Sequence, residues 1–523
     1  MADFVAGQYV IDELSDKIEE VVMEANGSGV PPANMISMTA VGRDKKVTLK
    51  FKPPANTVVE NQLICTVKKL MVRRKVGSAP TDMNDGTQLL LLEGNDIHNY
   101  ESTAYEDTGL TNGTEYFYRF FTMSDHDVWN INDANVVSAI PKEYTLLGFR
   151  IKKAESDPDT RVEYTEGAVG FTPAGVNLST GVFDYGSFAD LWFVKDNKPV
   201  MLNADGTEAY ELDPSDYTKK ADGTASEISD TSQSKNAMSK IPCVWLKMWE
   251  DSTYEYCNIC DIQLTDEYHA YAHQRSDGTI ADYVYMSMFE GSLISSKVRS
   301  LKGQTPMNSQ TGANELTYAK ANGSLWSTRS WSQYNLINML LILMGKSTNI
   351  QNKFGYGHYN GGTAASSLLK TGTLSDKGQF YGTSGNIAMK CFHIENHYGD
   401  IWERIEGMVT NGSTHILVKE APPYNTSGSG YTDTGVVPGG TSGGYINAAK
   451  MTQYGLIPKT ASGSDSTYYA DGLWFSTNCY ALVGGACSYG LRVGAFALDV
   501  DSALSISGWG IGAALSCEQP IGA

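Results

Sequence analysis

Four sets of residues have types and spacings that could do chemistry. Cys257-Asn-Ile-Cys260 is a CxxC without a second pair, so it lacks the ligand set of a structural zinc site. Alternation along a strand puts its two thiols on opposite faces, where each reads as a small buried apolar side chain. Cys479, Cys487 and Cys517 fall near the C-terminus, and one disulfide among them is open without a defined pairing. Only Arg492 lies close enough in sequence to lower a thiol pKa there. His397 and Asp400, with Glu395, could move protons; polar residues ordering a helical turn are the preferred reading. Asp499 and Asp501 share one face of a strand. No glycine-rich phosphate loop follows a strand, and no Ser-His-Asp spacing is present. No catalytic residue, cofactor or bound metal is expected, and the chain is not read as an enzyme.

The elements that would position these residues are clearest at the C-terminal end. Phe496, Leu498 and Val500 alternate with Ala497, Asp499 and Asp501, the period of a strand with one buried face. Further on, Trp509 and Ile511 are expected to face inward, and Gly508, Gly510 and Gly512 outward. Ser502 to Ser507 form a connection of small polar residues. Upstream, Ala481-Leu-Val-Gly-Gly485 reads as a buried strand closed by a double-glycine turn. The expectation is a stiff apolar frame presenting small, polar and acidic residues on its outer side.

With 523 residues the chain is too long for one hydrophobic core. Forty basic against fifty-nine acidic residues give a net charge of −19, which argues against sequence-independent nucleic-acid binding. Frequent glycine and tyrosine with few charges suit β-rich, extracellular-type surfaces. Residues 1–20 lack a basic start followed by an apolar run, so no secretory signal is expected. The longest apolar run, Ile337 to Met344, falls short of the ~20 residues that span a bilayer and reads as part of a buried helix from Ser330 to Asn349. Ser330 is its candidate cap.

Taken in order, residues 1–30 are an amphipathic helix with Ile11, Leu14, Ile18, Val21 and Val22 on one stripe, then a Gly/Pro linker. That stripe packs on a partner chain or folds back on its own domain. Residues 31–142 alternate as a β-sandwich. Residues 143–300 are a β-rich intermediate region, in which 203–238 read as a polar surface excursion. Residues 301–523 complete the C-terminal domain. Within it, 394–409 read as a short helix with aromatic anchors, and 424–445 as a surface loop. The fold class is therefore multidomain and β-rich, α+β.

Four stretches carry a family resemblance. Tyr105 to Phe120, with Leu110, a Thr111-Asn-Gly-Thr114 turn and Tyr116-x-Tyr118, resembles the fibronectin type III family. Arg299-Ser-Leu-Lys-Gly-Gln-Thr-Pro306, Ile394-Glu-Asn-His-Tyr-Gly-Asp-Ile-Trp-Glu403 and the terminal Gly484-Gly…Trp509-Gly-Ile-Gly512 resemble tail-associated proteins of phages and prophages. Those pair a fibronectin-like module with a C-terminal C-type-lectin fold of the formylglycine-generating-enzyme type. The terminal pattern is also similar to variable proteins of diversity-generating retroelements, departing at Val500, where the family has Leu. The resemblance places variable, ligand-binding positions at Ala486, Ser488, Tyr489, Asp499, Asp501, Ser502, Ile506, Gly508 and Gly510. All nine are reachable from an Asn codon through its first two bases.

What the resemblance implies is a virion protein of the phage tail. It would bind a host cell-surface receptor without nucleic-acid binding or membrane insertion, alongside other tail proteins and as a homotrimer. Tyr489 would be a rigid aromatic contact, and Ser488, Asp499 and Asp501 polar ones. A purely structural baseplate role is the rival. An oxidase would need Cys479 and Cys487 as a reactive pair. Calcium-dependent sugar binding would need a Trp-Asn-Asp run that is missing, since Gly510 follows Trp509.

Overall fold

The structure, a computed structural model, describes residues 30–59 and 62–522. The expected helix at residues 11–25 lies outside them. The chain divides into two units, with the boundary between Tyr144 and Thr145.

In the first unit, Lys46–Lys52 alternates so that Val47, Leu49 and Phe51 are buried. It pairs antiparallel with Ser37–Arg43 on one side and Tyr105–Thr108 on the other. A second sheet runs Val136–Ala139, Tyr116–Ser124, Val67–Val76, Thr87–Glu93. Leu70, Val72, Tyr118 and Phe120 meet the first sheet's apolar residues in one core, so the unit is a β-sandwich. A buried carboxylate ties the two sheets. Asp107 accepts from Tyr118 Oη at 2.9 Å and from Arg74 Nη1 at 2.7 Å. The Thr111 N–H donates to Tyr116 Oη at 3.0 Å, which holds the turn ahead of that strand.

The second unit is organised around the helix Trp331–Gly345. Ser330 Oγ accepts from the Gln333 N–H, and the Gln333 side chain accepts from the Ser330 N–H, a reciprocal cap. Lys346, in the left-handed region at φ 48°, ends it. Fourteen of its fifteen residues are buried, so the helix lies inside the unit, and its buried Ser332, Asn335 and Asn338 side chains bond the Glu420 carbonyl, the Leu456 N–H and the Ala495 carbonyl. Gln333, the exception, reaches Ser516 Oγ at 2.7 Å.

Three larger sheets surround it. Four strands run Val162–Glu166, Leu146–Lys152, Tyr254–Cys260, Trp245–Glu250. Seven strands start from the Asp216–Lys220 edge and end with Tyr283–Ser287, Leu515–Cys517 and Trp326–Thr328. In the ten-stranded sheet the central order is Trp402–Thr410, Tyr480–Gly484, Gly494–Val500, Gly472–Phe475. Because Leu515–Cys517 lies between strands 283–287 and 326–328, residues 143–300 and 301–523 share one body. A single core cluster runs from Leu147 to Val500 through both. The division expected at residue 300 has no counterpart.

Two local expectations are corrected. Residues 394–409 are strands, Ile394–Glu395 and Trp402–Thr410, not a helix. Between them Asn396, Gly399 and Asp400 take φ of 55°, 82° and 62°, which no α-helix contains. The polar stretch 203–238 carries the strands Glu208–Asp213 and Asp216–Lys220, with Leu212, Tyr217 and Ile228 in their own core. Its polarity comes from repeated turns in which Asp205, Asp213, Asp222 and Asp230 accept from the Ser or Thr two residues on. Cys257 and Cys260 do pack into different clusters on opposite faces. Cys479, Cys487 and Cys517 are unbridged thiols.

Leu340→Ala in the central helix is expected to cost about 2–5 kcal/mol. Ser330→Ala should cost about 1 kcal/mol. Chemical denaturation of the full chain measures both, and equal losses would contradict the helix's interior position.

Candidate functional site

The C-terminal strands are buried on both faces. Along Gly494–Val500, Ala495, Phe496, Leu498 and Val500 enter the main core with Ala481, Val483 and Leu473. The alternate residues face away from the helix, as the sequence period requires. Register then sets Leu482 opposite Asp499, and Asp499 opposite Trp474. This outer row does not meet solvent directly. Trp402, Leu482, Ala486 and Ala497 form a second apolar cluster, with Trp474 and Ile511 packed against it. Alternation therefore located the side but not its exposure.

The cover of this outer face is aromatic. The rings of Trp402, Trp474 and Tyr489 stand mutually perpendicular, with centroids 5.2–5.4 Å apart. Edge-to-face contacts of this kind add about 0.5–1.5 kcal/mol each beyond area burial. Trp402 is 2% exposed, whereas Tyr489 is 37% exposed and forms the top of the stack. Gly472 makes room for the Trp474 ring, since a Cβ there would lie 2.4 Å from it. Burial pushes the Tyr489 phenol above its usual range. The Tyr489 N–H donates to the Ala486 carbonyl at 3.0 Å, which closes the loop 486–490 over the sheet.

Asp499 is the one carboxylate of this row. It is 6% exposed, and burial, then the neighbouring Asp501, push its pKa up to about 8. Asp499 Oδ1 accepts from the Asp501 N–H at 2.8 Å, and Oδ2 accepts from Ser502 Oγ at 3.4 Å. From Asp501 onward the chain leaves the sheet as the loop 501–510. The Ile506 carbonyl accepts from Arg404 Nη2 at 2.9 Å, and Arg404 Nε is paired with Glu315 at 2.7 Å in the interior. The Gly312 N–H reaches the Leu504 carbonyl, the Ser309 N–H reaches Gly508, and the Trp402 N–H reaches Gly510. With the Tyr480 N–H donating to the Ser502 carbonyl, the loop is held at five points on its backbone, while the side chains of Asp501, Ser505, Ile506 and Ser507 stay exposed.

Of the nine sequence-derived positions, Ser488, Tyr489, Asp501 and Ile506 are exposed. Ser502, Gly508 and Gly510 are half-buried, and Ala486 and Asp499 are buried. The two loops meet where a Cβ on Gly510 would lie 3.3 Å from the Ala486 Cβ. The expectation that Trp509 and Ile511 share an inward face is corrected. Residues 508–510 form a turn, and only Ile511–Gly512 is strand, parallel to Trp402–Glu403. Ile511 joins the outer aromatic cluster, while Trp509 packs on Leu368, Ile401 and Cys487. Sequence reasoning missed Trp402 and Trp474, which support Tyr489. Both sat in segments read for other purposes, and no local spacing links them.

His397, Glu395 and Cys479 keep to separate partners, whereas Asp400 and Cys487 lie together beside His358. His397 bonds Asn338 at 2.8 Å, and burial, then Arg329, depress its pKa. Asp400 bonds His358 at 2.5 Å, and Glu395 accepts from Thr373 and Leu374. The Cys479 thiol donates to the Thr477 carbonyl, and the Cys487 thiol to the Gly362 carbonyl. Burial raises both thiol pKa values, that of Cys487 to about 11.

No family model matches the chain, and no curated protein matches it. Among solved structures it is similar to the Major Tropism Determinant I1 variant, at 10% identity over 78% of this chain and 80% of that one, with a TM-score of 0.25. The M1 variant is 12% identical over 62% and 71%, also with a TM-score of 0.25. Likenesses at this level assign the chain to no family.

The buried Asp499 has a pH consequence. Its folded pKa, about 8, exceeds the unfolded value near 3.9. The folded state therefore holds this proton more tightly, and stability is lost as pH rises from about 4 toward 8. Asp471, buried and also raised to about 8, acts in the same sense in wild type and variant. Asp499→Asn should melt above wild type by a margin that opens between pH 4 and pH 8. A margin independent of pH would contradict the assignment.

Proposed function

We propose that this chain is a receptor-binding protein of a phage tail, and that loops 486–490 and 501–510 form its contact face. The observation that carries this reading is the structural division between the two loops and what lies under them. Ser488, Tyr489, Asp501 and Ile506 are exposed, while the sheet beneath is closed by Trp402, Trp474 and Leu482. Such a face can change its outer residues without unmaking the core. Tyr489 is a rigid amphipathic contact at low entropic cost, flanked by the acidic and hydroxyl groups of Asp501, Ser502 and Ser488. Diversification of these codons by a retroelement extends the same reading, with Ala486 and Asp499 as the positions under steric constraint.

The first unit supports a spacer role. Its three-stranded sheet, ordered 37–43, 46–52, 105–108, and its five-stranded sheet, ordered 136–139, 116–124, 67–76, 87–93 with 129–130 beside 116–124, are compatible with a fibronectin type III-like module. The second unit would be the C-type-lectin-like part. A single small face binds weakly, so copies arranged as a homotrimer and repeated on the virion would supply avidity. The raised thiol pKa values of Cys479 and Cys487, and their separate partners, do not favour the oxidase.

Replacing Ser488, Asp501 and Ile506 together by alanine is expected to lower adsorption of assembled particles to their host about tenfold or more, the scale of 1.4 kcal/mol. The melting temperature should not change. Unchanged adsorption would overturn the receptor reading, and failed particle assembly with a folded chain would favour the structural role.

A further inference from the structure

Directly beneath the 486–490 loop lies a cluster that the contact face does not use. A ring nitrogen of His358, a carboxylate oxygen of Asp400 and the sulfur of Cys487 all lie within 4.8 Å of one another. The three residues are 4%, 0% and 0% exposed. They come from segments far apart in the chain, yet three backbone hydrogen bonds lock those segments together. The Asp400 N–H donates to the His358 carbonyl, the Cys487 N–H to the Asp400 carbonyl, and the Gly361 N–H to the Cys487 carbonyl, each at 2.8 Å. Gly361 is required at this junction, because a Cβ there would lie 2.8 Å from the Cys487 sulfur and 3.1 Å from the His358 ring. Gly399, at φ 82°, leaves room beside His358, since a Cβ there would lie 3.0 Å from the His358 carbonyl oxygen.

A second observation points into the same place. Glu290 is nine-tenths buried, and it lies within interaction distance of both Asp400 and Cys487. Its Oε2 accepts from Asn396 Nδ2 at 3.2 Å, but its Oε1 has no hydrogen-bond donor. An orphaned carboxylate oxygen beside a second buried carboxylate costs free energy unless a cation or proton lies between them.

We propose that His358, Asp400 and Cys487 bind one zinc-class divalent metal ion, with the buried Glu290 carboxylate beside them balancing its charge. One imidazole, one thiolate and one carboxylate make a mixed N/S/O set within zinc's ligand range. Zinc–ligand bonds of about 2.0–2.3 Å place tetrahedral ligand atoms about 3.5 Å apart, so the His358–Asp400 contact of 2.5 Å opens on binding. The Cys487 thiol proton and the proton shared by His358 Nδ1 and Asp400 leave to solvent as sulfur and nitrogen ligate, and no other covalent bond changes. Because Cys487 lies between Ala486 and Ser488, the ion anchors the contact loop from below. The three ligands are buried and tied to the contact loop, which gives the ion a structural role.

The test uses the purified full chain, loaded with zinc chloride, desalted and assayed for metal by mass spectrometry. A parallel sample is loaded with cobalt(II). The expected result is about one zinc per chain, with a thiolate-to-cobalt charge-transfer band in the near ultraviolet. Cys487→Ser should abolish the band, whereas Cys517→Ser, a buried thiol elsewhere, should keep it. No retained zinc, no band in the wild-type chain, or a band that survives Cys487→Ser would each overturn the proposal. Should Cys487→Ser fail to fold, the wild-type zinc content and cobalt spectrum decide alone.

Discussion

Everything in the second unit depends on the C-terminal sheet being closed from both sides. The inner side packs on a helix buried almost throughout, so helix and sheet cannot be separated without exposing a large apolar surface. The outer side is closed by Trp402, Leu482, Ala497 and the perpendicular rings above them. Strands buried in this way have little freedom to accept new side chains, because well-packed interiors respond to a change of even one methylene. Variation is therefore confined to places where the chain leaves the sheet. The two exits, 486–490 and 501–510, are where exposed side chains gather.

Buried ion pairs hold this arrangement at its edges. Arg404 pairs with Glu315 and also holds the Ile506 carbonyl, linking helix 312–320, strand 402–410 and the second loop. Arg329 pairs with Glu403 in the interior and approaches His397. Removing one member of such a pair leaves an uncompensated charge in a medium that solvates it poorly, so these contacts act more as locks on geometry than as net sources of stability. Arg404 thereby fixes the backbone of loop 501–510 at Ile506, while the side chains of Asp501, Ser505, Ile506 and Ser507 stay outside.

Much of this was legible in the sequence where one physical signal dominated. The period of Phe496, Leu498 and Val500 gave the inner face, and Val47, Leu49 and Phe51 marked the sandwich core. Ser330 before an apolar run gave the helix start. Other features depend on contacts between distant segments. Asp499 was read as outward and exposed because alternation carries no information about what lies above a sheet. The strand at Trp402–Thr410 was read as helix because Ile394, Tyr398, Ile401 and Ile405 fall at helical spacing, and only the left-handed turn at Asn396–Asp400 breaks it. The triangle of His358, Asp400 and Cys487 has no sequence signature, since its members lie 42 and 87 residues apart, from 400 − 358 and 487 − 400.

The most direct measurement is a saturation scan of 480–512 scored by the yield of soluble folded chain. The account predicts that Ser488, Asp501, Ser502 and Ile506 accept nearly any residue, while Ala486, Ala497, Trp402 and Trp474, scanned alongside, accept almost none larger or smaller. If bulky residues at Ala486 and Ala497 were tolerated as freely as at Ser488, the sheet would not be closed on its outer side, and the separation of contact face from scaffold would fail.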